Sequence, residues 1–232
     1  MLDSGASVNN KRAKPAGFTR ARQPEQRAAR RANIVETARR IARSEGAIHL
    51  TISELGRRAQ LTKASIYRYF ESLEHVLLLI LATELRDLAE EGNDQLSTPS
   101  LSLEATASRL ASAYAKRPLL CELLGMVSSI LEHNISVEGI AEAKLDILKS
   151  SDRLSRSLAD AVPGLSLDNA RWVSHSTALY AGGAWAAAHP SKAAAAVLAR
   201  PEFGNLKSDF EAELVRLVRT LVRGAILETR ML

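Results

Sequence analysis

The segment TISELGRRAQLTKASIYRYFESLEHVL, residues 51–77, contains two short helical patterns separated by about one residue. In each pattern apolar residues recur every three to four positions, as they do along the buried face of a helix. Each pattern opens on a threonine, whose side-chain oxygen can accept from the free backbone N–H groups of a helix start. The predicted helices are residues 51–60, with Ile52, Leu55 and Ala59 facing inward, and residues 62–70, with Ile66 and Phe70 facing inward. Two such helices joined by so short a turn indicate a helix-turn-helix.

The second helix of this motif has an outer face suited to a polyanion. It presents Lys63, Ser65, Tyr67, Arg68 and Tyr69. Lys63 and Ala64 lie at its N-terminus, the end that enters the major groove in helix-turn-helix proteins, where lysine can donate to guanine. The two tyrosines would project about 200° apart around a helix and reach phosphates on both walls of the groove. Packing against Phe70 is the alternative role for either tyrosine.

The same segment resembles the TetR/AcrR family of transcriptional regulators. The likeness covers about residues 28–90, and its most specific part is the Tyr-x-Tyr-Phe sequence at residues 67–70. It implies a homodimeric, all-helical repressor that holds operator DNA and releases it when a small molecule enters the C-terminal domain. It also implies phosphate contacts from Thr51, Ser53, Thr62, Tyr67 and Tyr69, and base-edge contacts from Lys63, Ala64, Ser65 and Arg68.

Two positions depart from the usual pattern of that family. Family members usually have glycine near the turn, and Gln60 in its place predicts either a different turn conformation or a strained one. The usual lysine at the start of the fourth helix is Leu73 here, which removes one phosphate contact. We expect Arg57, Arg58 or the basic N-terminal residues to compensate for that loss.

Positive charge is concentrated in the first third of this 232-residue chain, whose net charge is +5. Residues 1–75 hold 15 Lys and Arg against 7 Asp and Glu, whereas residues 76–232 hold 16 against 19. This separation is expected where only the N-terminal part meets nucleic acid, although solvated helix faces and a basic tail would also produce it. Residues 1–24 are predicted to be a disordered basic arm, which either contacts DNA or is a passive tail, and residues 24–45 a helix.

The rest of the chain is also predicted to be helical, because its apolar spacing follows the helical period and no run of alternating β-branched residues occurs. We expect an all-α protein of about nine helices. Residues 25–90 would form the helix-turn-helix domain, and residues 91–232 a domain for effector binding and dimerisation. After a helix that starts at the Ser72 cap and ends before Gly92, the predicted helices are residues 103–117, 119–133, 137–161, 167–188 and 206–229.

The last two long helices carry features of a dimer interface, where the family resemblance also places one. The final helix has a wide apolar stripe, and the helix before it has small residues that allow close helix packing. An ordinary monomer core would leave the same pattern. The predicted interface residues are Ala181, Gly182, Phe210, Leu214, Leu217, Val218, Leu221 and Val222. A dimer would read two half-sites and therefore a palindromic operator.

An apolar pocket for a small molecule is predicted in the C-terminal domain. Such pockets combine an apolar lining with a few polar groups that orient the ligand. The candidate residues are Leu123, Met126, Val127, Ile130, His133, Asn134, Trp172 and His175. Each of them is also an ordinary core or surface residue type, so the small apolar or amphipathic effector follows from the resemblance alone.

Other functional classes leave no signature in this sequence. It has no Gly-x-Ser-x-Gly, no phosphate-binding glycine loop and no paired His or Cys ligands, so we expect no enzyme, no cofactor and no metal site. The single Cys121 fits a buried thiol in a reducing cytoplasm, with a redox sensor as the alternative. No stretch is apolar enough to span a membrane, and a cytoplasmic protein is expected. A DNA-bound structural protein that responds to no effector stays open as an alternative.

Overall fold

The computed structural model describes the backbone of residues 17–97 and 101–231, and these ranges are helical and contain no strand. Side chains are described for residues 24–228 except 98–100 and 128. The α-helices of these ranges are α1 (Gly17–Glu45), α2 (Ile52–Ala59), α3 (Lys63–Tyr67), α4 (Leu73–Leu96), α5 (Leu103–Ala115), α6 (Pro118–Met126), α7 (Val137–Ala161), α8 (Leu167–Ala188), α9 (Lys192–Leu198) and α10 (Phe210–Met231). Short 3-10 turns lie at Ala47–His49 and Pro201–Leu206, and a π turn at Val127–Leu131. The all-α prediction is confirmed.

Hydroxyl side chains define the starts of seven helices. In each case the side-chain oxygen of the residue before the helix accepts the backbone N–H three residues further on, which satisfies one of the free amides of the first turn. The caps are Thr51, Thr62, Ser72, Ser102, Ser136, Ser166 and Ser191. The three caps predicted from the sequence, at residues 51, 62 and 72, are confirmed.

The first helix starts earlier than the sequence suggested. Residues 17–24, expected in the basic arm, are part of α1, and Pro24 lies inside that helix rather than at its start. The remainder of the predicted arm, residues 1–16, lies outside the described residues. The chain divides into two compact units between Asn33 and Ile34, so α1 contributes to both.

Gly92 was predicted to stop the fourth helix, and this prediction is wrong. Helix α4 continues through Gly92 to Leu96, which is buried. A Cβ placed on Gly92 would stand only 2.6 Å from Cδ1 of Leu154 in α7. The glycine is therefore a point of close helix packing rather than a terminator.

The core of the unit that begins at Ile34 is organised around α4. This helix packs along α7 and also contacts α5 and α6, while α10 packs against α5 and α8. Helix α8 in turn contacts α6 and α7. The turn after α3 runs directly into α4, so the helix-turn-helix residues are continuous in the chain with the helix at the centre of this core.

A buried ion cluster fixes α1 against α4. The carboxylate of Glu84, which is 1 % exposed, accepts from Nε of Arg39 at 2.8 Å and lies 2.9 Å from a guanidinium nitrogen of Arg43. Arg39 also contacts Asp87. Because an isolated carboxylate in this position would be costly, the two arginines are what make burial of Glu84 tolerable.

Within the described ranges, no helix combines the length and the apolar character needed to cross a lipid bilayer.

Candidate nucleic-acid interface

Helices α2 and α3 are held together by their apolar inner faces. Ile52 and Leu55 of α2 and Ile66 of α3 are buried, as is Phe70 just beyond α3. The inward residues predicted from the sequence are therefore in the core, apart from Ala59, which is half-buried. This arrangement leaves the opposite face of α3 free for contact with another molecule.

The turn between the two helices resolves the question raised by Gln60. This residue has φ 55° and ψ 45°, which is the left-handed conformation that glycine adopts without cost. Its turn is closed by the Leu61 N–H, which donates to the Gly56 carbonyl at 2.8 Å. The turn therefore keeps its left-handed conformation despite the glutamine, and of the two predicted alternatives the strained one is correct.

The outer face of α3 is exposed and basic. Lys63, Ala64 and Arg68 are exposed, and Tyr67 is 53 % exposed. Ser65 is half-buried, and its hydroxyl lies 2.9 Å from that of Thr62, which also accepts the Ser65 N–H at 3.1 Å. The two hydroxyls thus stabilise the start of α3 in addition to facing the surface.

The two tyrosines differ in their surroundings. Helix α3 ends at Tyr67, so Tyr69 lies in the following turn, and the predicted 200° separation around one helix does not apply. Tyr69 is half-buried, with its ring centroid 6.5 Å from that of Phe70. Tyr67 is free to reach a DNA backbone, whereas Tyr69 has at least a packing role.

On α2, the residues proposed to contact phosphate and the neighbouring arginines are at the surface. Thr51 and Ser53 are exposed. Arg57 and Arg58 both contact Glu54, and these hydrogen bonds lower the pKa of its carboxyl to about 2. Exposed ion pairs of this kind contribute little to stability, so phosphate can compete for the arginines.

Leu73, which replaces the expected lysine, is half-buried at the start of α4 and packs against the core. Its side chain has no donor, so it supplies no phosphate contact. Compensation by Arg57, Arg58 or the N-terminal residues stays a prediction.

Two carboxylates connect the helix-turn-helix to C-terminal helices other than α4. Glu122 of α6 accepts the backbone N–H of Ala47, in the turn before α2, at 3.0 Å. Glu71, directly after the α3 turn, accepts both the N–H and the hydroxyl of Ser136 at 2.5 and 2.7 Å, which holds the pKa of its carboxyl below its usual value. Sequence reasoning missed both contacts, because nothing local marks either glutamate as a partner of a residue 65 or 75 positions away.

The predicted dimer-interface residues need correction. Six of them are buried within the single chain, and the other two, Leu217 and Leu221, are half-buried and packed against the core. A side chain already enclosed by its own protomer cannot be covered again by a partner. These six residues therefore belong to the protomer core, whereas Leu217 and Leu221 keep some exposed surface and stay predicted interface residues. The six buried residues are Ala181, Gly182, Phe210, Leu214, Val218 and Val222.

The close helix approach predicted at Gly182 is real but lies within the chain. A Cβ on this residue would stand 2.6 Å from the backbone nitrogen of Gly125 in α6. A Cβ on Gly125 would likewise stand 3.2 Å from the Gly182 carbonyl oxygen. Helices α6 and α8 therefore meet backbone to backbone.

A different face of α8 is apolar and open. Trp172 is 53 % exposed and Leu179 is 65 % exposed, and Gly183 follows them on the same side of the helix. On α10, Leu227 is also exposed, and the space beside Gly224 is open. We refer to these exposed residues of the two packed helices together as the exposed α8–α10 face.

The predicted effector residues differ widely in burial, and their grouping into one site stays a prediction. Leu123 is buried, and Met126 and Val127, at the junction of α6 with the π turn, are half-buried. The others are exposed, namely Ile130, His133, Asn134, Trp172 and His175. The polar members of the set, His133, Asn134 and His175, therefore lie at the protein surface.

Two buried hydroxyls were missed by the sequence reasoning. Among the described side chains, Oγ1 of Thr106 in α5 and Oγ of Ser174 in α8 are buried atoms without a hydrogen-bond partner. Buried polar atoms nearly always have one. Both helices pack against α10. The two hydroxyls are therefore polar groups within the C-terminal core.

Cys121 is fully buried, and burial raises the pKa of its thiol to about 12. Its Sγ donates to the Tyr114 carbonyl at a distance of 3.6 Å. The thiolate required for redox sensing is strongly disfavoured there. No group of three or more His, Cys, Asp or Glu side chains in the described part of the chain is arranged to hold a metal ion.

An exposed basic helix, capped by threonine and supported by a second helix across a tight turn, defines the class of helix-turn-helix DNA-binding proteins. Residues 34–80 match the family described as bacterial regulatory proteins, tetR family. Residues 81–229 match the tetracyclin repressor-like C-terminal domain. The chain belongs to the TetR family of DNA-binding transcriptional regulators, which are not enzymes.

Several solved structures are similar to this chain at low sequence identity. One is a possible TetR family transcriptional regulator from Streptomyces coelicolor A3(2), which is 20 % identical with a TM-score of 0.54 over 84 % of this chain and 97 % of its own. FadR from Bacillus subtilis in complex with stearoyl-CoA is 16 % identical, with a TM-score of 0.49 over 82 % and 97 %. The fatty acid degradation regulator FadR from Bacillus halodurans is 15 % identical, with a TM-score of 0.48 over 83 % and 94 %. No curated protein sequence matches this chain.

Proposed function

We propose that this protein is a cytoplasmic repressor that binds a palindromic operator as a homodimer and leaves it when a small apolar or amphipathic molecule binds its C-terminal domain. The observation that carries the proposal is the outer face of α3, where Lys63, Tyr67 and Arg68 are exposed while Ile66 anchors the helix in the core. In this role Lys63, Ala64, Ser65 and Arg68 face base edges, and Thr51, Ser53, Thr62, Tyr67 and Tyr69 contact phosphates.

The exposed α8–α10 face is the proposed subunit interface, in place of the core residues predicted from the sequence. Large apolar side chains such as Trp172 and Leu179 are unfavourable in water when they cluster on a helix surface. Gly183 and Gly224 leave room beside them for a second pair of helices to approach. A symmetric dimer would present two α3 helices to consecutive turns of the duplex, which is the reason for proposing a palindromic operator.

The proposed effector site lies among α5, α8 and α10. Thr106 and Ser174 supply hydroxyls without protein partners in an otherwise apolar interior. A molecule with an apolar body and one or two polar atoms would satisfy them, since apolar binding sites usually contain only a few orienting polar groups. Met126 and Val127, which the sequence predicts as pocket residues, lie where α6 meets the π turn, and α6 packs against α8.

An in vitro selection tests the DNA-binding part of the proposal. Wild-type protein is incubated with random duplexes, the retained sequences are read, and the affinity for the best duplex is measured by fluorescence anisotropy at one fixed salt concentration. A palindromic consensus is the expected result. Lys63→Ala should lose affinity, while Lys207→Ala, at an exposed site in the C-terminal half, should retain it. Absence of any enriched sequence would overturn the proposal.

Transcription from a promoter that carries the selected duplex distinguishes repression from activation. Thermal unfolding in the presence of a metabolite library tests the effector, because a molecule that binds the folded state raises the midpoint. A compound that both stabilises the protein and releases the duplex supports a ligand-responsive repressor. A broad library without such a compound favours a DNA-bound structural protein instead.

A further inference from the structure

The turn that follows α3 is attached directly to the start of α7. The Glu71 carboxylate accepts the Ser136 backbone N–H at 2.5 Å and its hydroxyl at 2.7 Å, although the two residues are 65 positions apart. The Ser136 hydroxyl also accepts the Gly139 N–H at 3.1 Å as the cap of α7. One serine therefore joins the first turn of α7 to the residue that directly follows Phe70.

His75 adds a second contact between the α3 turn and α7. Its ring is buried edge-on against Phe70, with 5.8 Å between the ring centroids, and its Nδ1 accepts the Glu71 N–H at 3.4 Å. On the other side its Nε2 lies 4.0 Å from the Glu142 carboxylate of α7. His75 thus touches both the end of the α3 turn and the helix to which Glu71 is bound.

Gly139 allows α7 to come this close. A Cβ placed on it would stand 2.7 Å from Cγ2 of Ile135 and 3.0 Å from Oε1 of Glu71, and it would make an ordinary contact of 3.5 Å with Cε1 of His75. A larger residue would therefore require Ile135 and the Glu71 carboxylate to shift. The segment that leads into α7 contains Asn134 at φ 58° and follows the π turn, so the chain takes an irregular path to reach this position.

We infer that Glu71 is a positioning residue for DNA recognition: by holding the α3 turn on α7 through Ser136, it fixes the backbone that carries Tyr67 and Tyr69. The inference rests on the proposed function, because it assumes that these tyrosines and Lys63 meet DNA. The contact links the α3 turn to α7 in addition to the covalent continuation of that turn into α4, the helix to which His75 belongs. A displacement of the first turn of α7 would therefore act on Glu71 directly and, through it, on the backbone that carries Tyr69.

Electrostatics and the loss of the Ser136 contact predict opposite changes in DNA affinity when Glu71 is removed. Glu71→Ala removes a carboxylate near a polyanion, so electrostatics alone predicts tighter DNA binding. Loss of the Ser136 contact predicts weaker binding, by about tenfold for a coupled hydrogen-bonded contact. Glu138→Ala is the matched control, because it removes an exposed carboxylate from the first turn of α7, two residues beyond Ser136.

The full-length variants are compared by anisotropy on the selected duplex and on a scrambled duplex of the same length. We expect Glu71→Ala to lose affinity for the selected duplex and most of its preference over the scrambled one, whereas Glu138→Ala binds as well as wild type or better. Glu71→Gln should recover part of the loss, since its amide oxygen still accepts the Ser136 N–H.

Ser136→Asp gives an independent measurement. Aspartate caps a helix as well as serine does, but its charge repels Glu71 and it cannot donate to it. We expect Ser136→Asp to bind the selected duplex more weakly than wild type. The double variant Ser136→Asp with Glu71→Gln should recover affinity, and the unfolding midpoint should change little in either variant.

If Glu71→Ala and Glu138→Ala bind alike while Lys63→Ala is impaired, the inference about Glu71 is overturned and the proposed function stands. If Lys63→Ala also binds normally, the proposed function itself fails.

Discussion

A Cβ on Gly56 would stand 2.7 Å from the carbonyl oxygen of Leu61, so α2 and the turn before α3 are in backbone contact. The Leu61 N–H donates to the Gly56 carbonyl across the same contact. Gly56 thereby positions the proposed DNA-contacting helix without facing DNA itself. It looks like an ordinary helix residue in the sequence, because the clash that requires glycine comes from a residue five positions later.

Gly56→Ala should destabilise the protein, because the obstructing atom belongs to the backbone and cannot rotate away. Overpacking of this kind costs about 1–3 kcal/mol, which exceeds the gain of up to about 1 kcal/mol in helix propensity. Urea unfolding, monitored by circular dichroism, measures the change in the free energy of unfolding. Ser53→Ala, at an exposed position of the same helix, is the control and should be nearly neutral. Equal stabilities for the two variants would contradict the predicted clash.

Gln60→Gly should stabilise the fold. A side chain in the left-handed region costs about 1–2 kcal/mol, and the larger entropy of unfolded glycine offsets only part of the relief, leaving a gain of about 0.5 to 1 kcal/mol. The same urea titration measures the free energy of unfolding of this variant. Gln95→Gly, within α4, should instead lower the free energy of unfolding by about 1 kcal/mol. A gain at position 95 or a loss at position 60 would refute this account of the turn.

Lys63→Ala and Tyr67→Phe should each weaken binding to the selected duplex by about 1–3 kcal/mol. The lysine lies at the exposed start of α3, and the tyrosine can donate its hydroxyl to a phosphate. Only Lys63→Ala should also relax the sequence preference, because phosphate contacts carry no sequence information. Competition anisotropy against single-base variants of the duplex separates the two effects. Unchanged affinity in both variants would exclude α3 as the recognition helix.

The local chemistry of this segment was largely predictable, whereas its tertiary setting was not. The caps at Thr51 and Thr62 and the burial of Ile66 follow from side-chain type and helical spacing. The shortened α3 does not, because Tyr69 lies in the turn after the helix, where its half-buried ring contacts that of Phe70. The Glu71 contact with Ser136 depends on how α7 lies against α4, which no local pattern encodes.

Leu179→Asp should convert the proposed dimer into a monomer. The side chain is 65 % exposed in the protomer, so a charge there is tolerated by the single chain but would be buried by a partner helix. Light scattering at micromolar concentration gives the mass. Leu145→Asp, at an exposed leucine of α7 outside the exposed α8–α10 face, should remain dimeric. A monomeric wild-type protein would refute the interface.

Cys121 should be inert towards thiol reagents in the folded protein. Burial raises the pKa of its thiol to about 12, so almost no thiolate exists at pH 8. Since the folded-state pKa lies above the unfolded value of 9.0, folding favours the protonated thiol, and this contribution is lost only in strongly alkaline solution. Ellman's reagent should label the protein in denaturant and not in buffer. Rapid labelling of the native protein would restore the redox-sensor alternative.

The choice of dimer residues shows why the C-terminal domain was harder to predict than the helix-turn-helix. Leu214 and Val218 form a continuous apolar stripe, and such a stripe is equally compatible with a subunit interface and with a protomer core. Their neighbours α5 and α8 already cover them. The residues that remain exposed, Trp172 and Leu179, were less conspicuous because they alternate with polar positions along α8. Which apolar side chains stay exposed depends on how the other helices of the chain cover them, and the sequence alone does not reveal this.

The backbone contact between Gly125 and Gly182 sets a limit on how this regulator can be redesigned. A library intended to change the effector response would naturally diversify α6 and α8, yet any side chain at either glycine would force these helices apart. Both positions therefore have to be kept constant. Met126 and Val127 follow the crossing directly and are only half-buried, which makes them the practical places to introduce variation.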